Sequence, residues 1–186
     1  MNGDGLTADE RQQLIDDWRN KTGYNNIYFD KKNNLVIDRD SGIAKDANGK
    51  FLGSADARAN LTDAIETKDV FNLEHANGSS KVAFADNELS QTTQIGQSKE
   101  IIHTYRVRID FSDFNHQSGD REAREANSIG LVLLHEFDHN LYGHIEDYPS
   151  GPNDPGPVEN NYLNPIRAQL GLAQRATYDA KPVCGV

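Results

Sequence analysis

Cysteine is almost missing from this chain. The one present, Cys184, lies two residues from the C-terminus, so no internal disulfide framework and no cysteine-built zinc site can form. Long apolar runs are missing too: no stretch approaches the ~18 residues a membrane span needs. The opening, MNGDGLTADERQQ, lacks the apolar segment of a signal peptide. Basic residues are scarce, 19 Lys and Arg against 29 Asp and Glu, giving a net charge of -10. That balance argues against a nucleic-acid surface, which needs clustered cations, and suits solubility or a basic partner. Apolar residues are only 36% of the 186, with a mean hydropathy of -0.74, which implies a modest core with long polar loops. The length fits a single domain over 1–186, either as a whole chain or as the C-terminal module of a longer one.

What is present reads as a mixture of helices and strands. Thr7 followed by Glu10 is a capping box, and Leu14, Ile15 and Trp18 form one stripe, predicting a helix from about Ala8 to Asn20 ended by Gly23. Ile27 to Asp38 reads as a hairpin turning at KKNN, and SADARANLTDAIETKD as a second helix. VFNLEHA, a turn at NGSS and KVAFADNEL read as a second hairpin. EIIHTYRVRIDF is the strongest strand: Ile101, His103, Tyr105, Val107 and Ile109 alternate with Ile102, Thr104, Arg106 and Arg108. One helix is expected from about Arg121 to Gly143. After the Pro- and Gly-rich loop YPSGPNDPGP, a last helix restarts at Pro165 and ends near Gly171.

The chemistry concentrates in LVLLHEFDHNLYGHIED, Leu131 to Asp147. His135 and His139 are four apart and share a helix face, so both imidazoles can reach one zinc ion. Glu136, between them in an HExxH pattern, is offset round the helix and suits a general base that activates water. The apolar lead-in, Ile129 to Leu134, argues for a helix buried against a sheet. There, ionisable groups need a metal or hydrogen bonds. The bland alternative is a solvent-facing charged patch.

A catalytic zinc needs a third protein ligand and an open position. Glu159, twenty positions after His139 and across the Pro/Gly loop, is the leading candidate if two helices fold back on one another. His144 and Asp147 are the alternates. Gly143 and His144 sit four and five positions after His139, missing the three-and-six spacing of HExxHxxGxxH by one. On an unbroken helix His144 would stand roughly 140° round from His139. Tyr178, Arg175, Tyr142 and His103 are candidate donors to the oxyanion that forms during attack on a carbonyl. The strand EIIHTYRVRIDF is either a substrate-binding edge or an ordinary central strand.

The segment HEFDHNLYGH through GPVENNYLNPIRAQLGLAQRATY resembles the HExxH metallopeptidase domains of bacterial effectors and polymorphic (Rhs-type) toxins, within the zincin superfamily. In those domains the zinc helix is followed by a segment of the form N-x-I/L-R-x-x-L-G-L-P-x-R-x-x-Y. Here Asn164, Ile166, Arg167, Leu170, Gly171, Leu172, Arg175 and Tyr178 match it, and Ala173 replaces the usual proline. The resemblance covers about Ile129 to Tyr178; the first hundred residues carry none. It implies an α+β zincin-like fold, with a mainly antiparallel twisted sheet packed against the HExxH helix and a C-terminal helix. It further implies a Zn2+-dependent endopeptidase acting on a protein substrate. Such a module is secreted or delivered into a target cell and restrained by a cognate inhibitor or immunity protein. His135 and His139 carry over as zinc ligands and Glu136 as the base; Arg175 and Tyr178 carry over as motif positions in the catalytic region. Two rival readings remain: a non-enzymatic, metal-stabilised binding module, and a zinc hydrolase of a non-protein amide.

Overall fold

The computed structural model describes residues 1–96, 100–142 and 148–177. Its first helix, α1 (Ala8–Thr22), starts where the capping box requires. Thr7 Oγ accepts from the Glu10 amide at 3.3 Å, and Glu10 Oε2 accepts from the Thr7 amide at 2.7 Å. Gly23 ends the helix in the left-handed conformation, φ 76°, and a Cβ there would stand 2.2 Å from the Leu52 carbonyl. The first hairpin forms as expected, β2 (Ile27–Phe29) antiparallel to β3 (Leu35–Ile37), as a separate two-stranded sheet. Helix α2 (Ala55–Glu66) follows, capped by Ser54, whose hydroxyl accepts from the Ala57 amide.

The main sheet departs from expectation. Its strands are β1 (Asn2–Gly5), β4 (Val70–His75), β5 (Ala85–Ile95) and β6 (Glu100–Ile109), in the order β1-β4-β6-β5. β1 lies in NGDG, where two glycines give no strand signal, and it pairs in parallel with β4. β4 and β5 do not form a hairpin. β6 lies between them, parallel to β4 and antiparallel to β5. The sheet is therefore mixed, not mainly antiparallel. Burial decides the order. Tyr105, Val107 and Ile109 of β6 and Phe71 and Leu73 of β4 line one core face, whereas β5 is exposed from Glu88 onward and takes the edge. The strand EIIHTYRVRIDF is thus central, and β5 is one of the two edge strands, with β1 at the other edge.

The predicted helix 121–143 is two helices, α4 (Arg121–Ala126) and α5 (Ile129–Leu141), with the short α3 (Phe111–Asn115) before them. Asn127 and Ser128 interrupt the run: both residue types favour caps over helix interiors, and Ser128 has extended backbone, φ -73° and ψ 158°. The last segment is a π-helical turn, Glu159–Leu163, running into α6 (Asn164–Leu170), with Pro165 in its first turn and Gly171 as a left-handed cap. Among the described residues, no helix is long and apolar enough to cross a membrane.

α5 packs against α1, α2, β5 and the π-helical turn. A line of aromatic rings joins these layers. Trp18 meets Phe137 at 6.4 Å between centroids, Phe137 meets Phe71 at 4.9 Å, and Phe71 stacks on Tyr105 at 5.3 Å. The start of α5 is held by α1: the Gly130 amide donates to Asp17 Oδ2 at 2.6 Å, and Trp18 Nε1 donates to the Gly130 carbonyl at 3.3 Å. This contact depends on glycine. A Cβ at Gly130 would lie 2.7 Å from Asp17 Oδ2 and 2.9 Å from Trp18 Cδ1. Gly130→Ala is expected to destabilise the domain by about 1–3 kcal/mol, as overpacking does. A urea unfolding midpoint equal to that of the parent would refute this.

Candidate metal centre

α5 carries HEFDH with its apolar residues turned inward. Leu131, Leu133, Leu134 and Phe137 are fully buried, whereas His135, Glu136 and His139 are half-buried and so accessible. The charged residues of the motif therefore lie at the boundary between core and surface. The two Nε2 atoms, His135 and His139, stand 3.2 Å apart, with the rings edge to face. The Glu136 carbonyl accepts from Asn87 Nδ2 of β5 at 2.8 Å, which fixes the edge strand beside the first turn of the motif.

Glu159 does fold back onto this helix. It is 2% exposed, and its Oε1 stands 3.4 Å from His135 Nδ1, the ring nitrogen that does not face His139. The same Oε1 accepts from Arg175 Nη1 at 3.2 Å, and Oε2 accepts from Arg167. Burial pushes the Glu159 carboxyl up, but His135 and Arg167 outweigh it and hold it down at about 2. Expected as a zinc ligand, Glu159 is placed behind His135 and shared between two guanidinium groups.

The downstream motif explains how these arginines are held. Asn164 brackets the Arg175 backbone, its Oδ1 accepting from the Arg175 amide at 2.8 Å and its Nδ2 donating to the Arg175 carbonyl at 2.9 Å. Arg167, 4% exposed, also donates from Nε to the Ala126 carbonyl at 2.9 Å, tying α6 to the end of α4.

Asp138, inside HEFDH, is a participant that spacing did not single out. It is fully buried, and Oδ1 accepts from Asn60 Nδ2 of α2 at 2.6 Å. Burial pushes its carboxyl up to about 8, with the Asn60 hydrogen bond opposing. Asp138 Oδ2 and Asn60 Oδ1 are both buried without a hydrogen-bond partner among the described residues. A proton on Oδ2 would turn one of these two acceptors into a donor. Asp138 lies three residues after His135, on the same helix face, which was a visible signal; its partner, 78 residues earlier in the chain, was not.

Of the candidate oxyanion donors, Tyr142 has its hydroxyl donated to Asp63 Oδ2 at 3.0 Å and its ring stacked on Tyr162 at 4.5 Å. Burial first, then that hydrogen bond, raises its pKa and keeps it protonated. His103 lies on β6 with Nδ1 3.6 Å from Asp69. Tyr178, His144, Asp147 and Cys184 lie outside the described residues. Among the described residues, no third His, Cys, Asp or Glu completes a metal-binding group with the histidine pair.

Comparison with protein-family models, curated proteins and solved structures finds no match to this chain. The chain is an α+β protein with a mixed four-stranded sheet.

Proposed function

We propose that this chain is a zinc-dependent peptidase of the zincin type, hydrolysing peptide bonds in a protein substrate. The observation that carries the reading is the 3.2 Å separation of the His135 and His139 Nε2 atoms. Two imidazole nitrogens about 2.0–2.1 Å from one tetrahedral zinc stand about 3.3 Å apart, so the pair fits that ion. When bound, zinc supplies a Lewis acid that polarises a carbonyl and makes water acidic enough to attack at neutral pH.

The chain's own residues supply the rest. Glu136 takes the proton of the attacking water on its carboxylate and returns it to the departing amine nitrogen as the C–N bond breaks. β5 lies at the sheet edge and is fixed to the Glu136 carbonyl through Asn87. Its backbone can hold an extended polypeptide by adding a strand, with the exposed Leu89 side chain offering an apolar contact. Arg175 and Tyr142 are engaged with Glu159 and Asp63, and Tyr178 and His103 are the other candidate oxyanion donors. Delivery into a target cell and restraint by a cognate inhibitor belong to the same proposal.

The test is incubation of the zinc-loaded protein with a panel of extended polypeptides, followed by N-terminal sequencing. New N-termini are expected, lost with a chelator and restored by zinc. Failure to cut any member of the panel would overturn the reading. Zinc titration of single variants assigns the ligands: His139→Ala should abolish tight binding. Of His144→Ala and Asp147→Ala, the one that lowers affinity as severely marks the third ligand. Zinc binding in His139→Ala equal to that of the parent would remove the metal centre.

A further inference from the structure

The arginines of the downstream motif have no assigned role, although the fold delivers both to one carboxylate at the back of His135. We propose that Arg175, acting through Glu159, is a positioning residue that fixes His135 with its proton on Nδ1 and its lone pair on Nε2. This rests on the reading of His135 as a metal ligand and names what prepares it.

The geometry carries the proposal. One oxygen, Glu159 Oε1, stands at an ion-pair distance of 3.4 Å from His135 Nδ1 and accepts a hydrogen bond from Arg175 Nη1 at 3.2 Å. The other oxygen is held by Arg167, itself anchored to the Ala126 carbonyl. The carboxylate therefore cannot turn away from the ring without breaking contacts to both guanidinium groups. A fixed anion beside Nδ1 favours the N–H on that nitrogen, and the opposite nitrogen is then bare and aimed at His139 Nε2. The Asn164 bracket fixes the backbone from which Arg175 reaches Glu159, so three matched positions of the motif serve one ring. Arg175 is the residue to vary: its side chain is 28% exposed, whereas that of Arg167 is 5% exposed, and loss of Arg167 threatens folding.

Two measurements test this. The first is zinc affinity by competition with a chelating dye, comparing the parent protein with Glu159→Gln, Arg175→Ala and Arg175→Lys. Loss of a partner that orients a metal-binding histidine weakens binding about 10- to 100-fold, which is expected for Glu159→Gln and Arg175→Ala. Arg175→Lys keeps the charge beside Oε1 and should recover part of the loss. The second is the 15N chemical shift of the His135 ring in the zinc-free protein at neutral pH. The parent should show the Nδ1–H tautomer, and both charge-removing variants a rise in Nε2–H. A purely structural role would lower the unfolding temperature without moving the tautomer. An Nε2–H ring in the parent, or an unchanged tautomer in both variants, overturns the proposal. So does undiminished zinc affinity in the variants of a parent that binds zinc. If the parent binds no zinc, the peptidase reading falls, and the tautomer still decides this inference.

Discussion

Glu136→Gln is expected to lower peptide-bond hydrolysis by about 100- to 10,000-fold, the range for loss of a positioned general base. Glutamine has nearly the shape of glutamate but cannot take a proton from water. The folding consequence should be small. What ties this position to the sheet is its main-chain carbonyl, bonded to Asn87 Nδ2 at 2.8 Å, and that contact survives the change. His135 and His139 are untouched, so zinc stoichiometry should remain that of the parent. The measurements are initial rates on a cleaved peptide, metal content after dialysis and a thermal unfolding curve. A variant that holds zinc and cleaves at the parent rate would sink the mechanism. A variant that loses both zinc and fold would show that Glu136 is structural.

Asp138→Asn is expected to stabilise the zinc-free protein above neutral pH and to flatten its pH dependence. The carboxyl titrates near 8 in the folded protein against a reference of 3.8. Between these values the folded state keeps a proton that the unfolded chain releases. Stability contributed at low pH is therefore lost as pH rises from about 4 to about 8, on the order of a few kcal/mol over the interval. Asparagine removes that titration. Its amide can also accept from Asn60 Nδ2 and offer a donor where Asp138 Oδ2 has no partner. Denaturant unfolding at pH 5 and pH 8 checks the expectation. The parent should weaken across the interval and the variant should not. Zinc at the neighbouring histidines favours the ionised carboxylate, so the same pair of measurements with zinc should show a smaller difference. Equal slopes for parent and variant in the zinc-free protein would show that Asp138 does not titrate in this range.

Helix ends were legible at several places where the signal was local, though the break at Asn127 and Ser128 was not. Thr7 and Glu10 predict the start of α1 because a capping box closes within four residues, and Gly23 and Gly171 mark ends that need a left-handed residue. The alternation in β6 marked the buried face over Tyr105, Val107 and Ile109, since side chains on a strand must alternate, whereas Ile101 of the same face is exposed at the strand's start. Strand order was not legible. VFNLEHA and KVAFADNEL look like a hairpin because they are neighbours in sequence. Which strand sits between them depends on apolar area buried against helices α1, α2 and α5, a quantity that no local pattern contains.

The site divides in the same way. By itself, the sequence determined that His135 and His139 share a helix face and that Glu136 lies beside them, because a helical repeat fixes those relations within one turn; it offered Glu159 as a carboxylate across the loop with nothing local to fix where its side chain goes. Only the tertiary structure decided that Glu159 stands beside His135 Nδ1, that Arg167 and Arg175 close on it, that Asp138 is buried against Asn60, and that β5 is an edge beside the motif. These are contacts between elements distant in sequence, fixed by the packing of α5 against its neighbours.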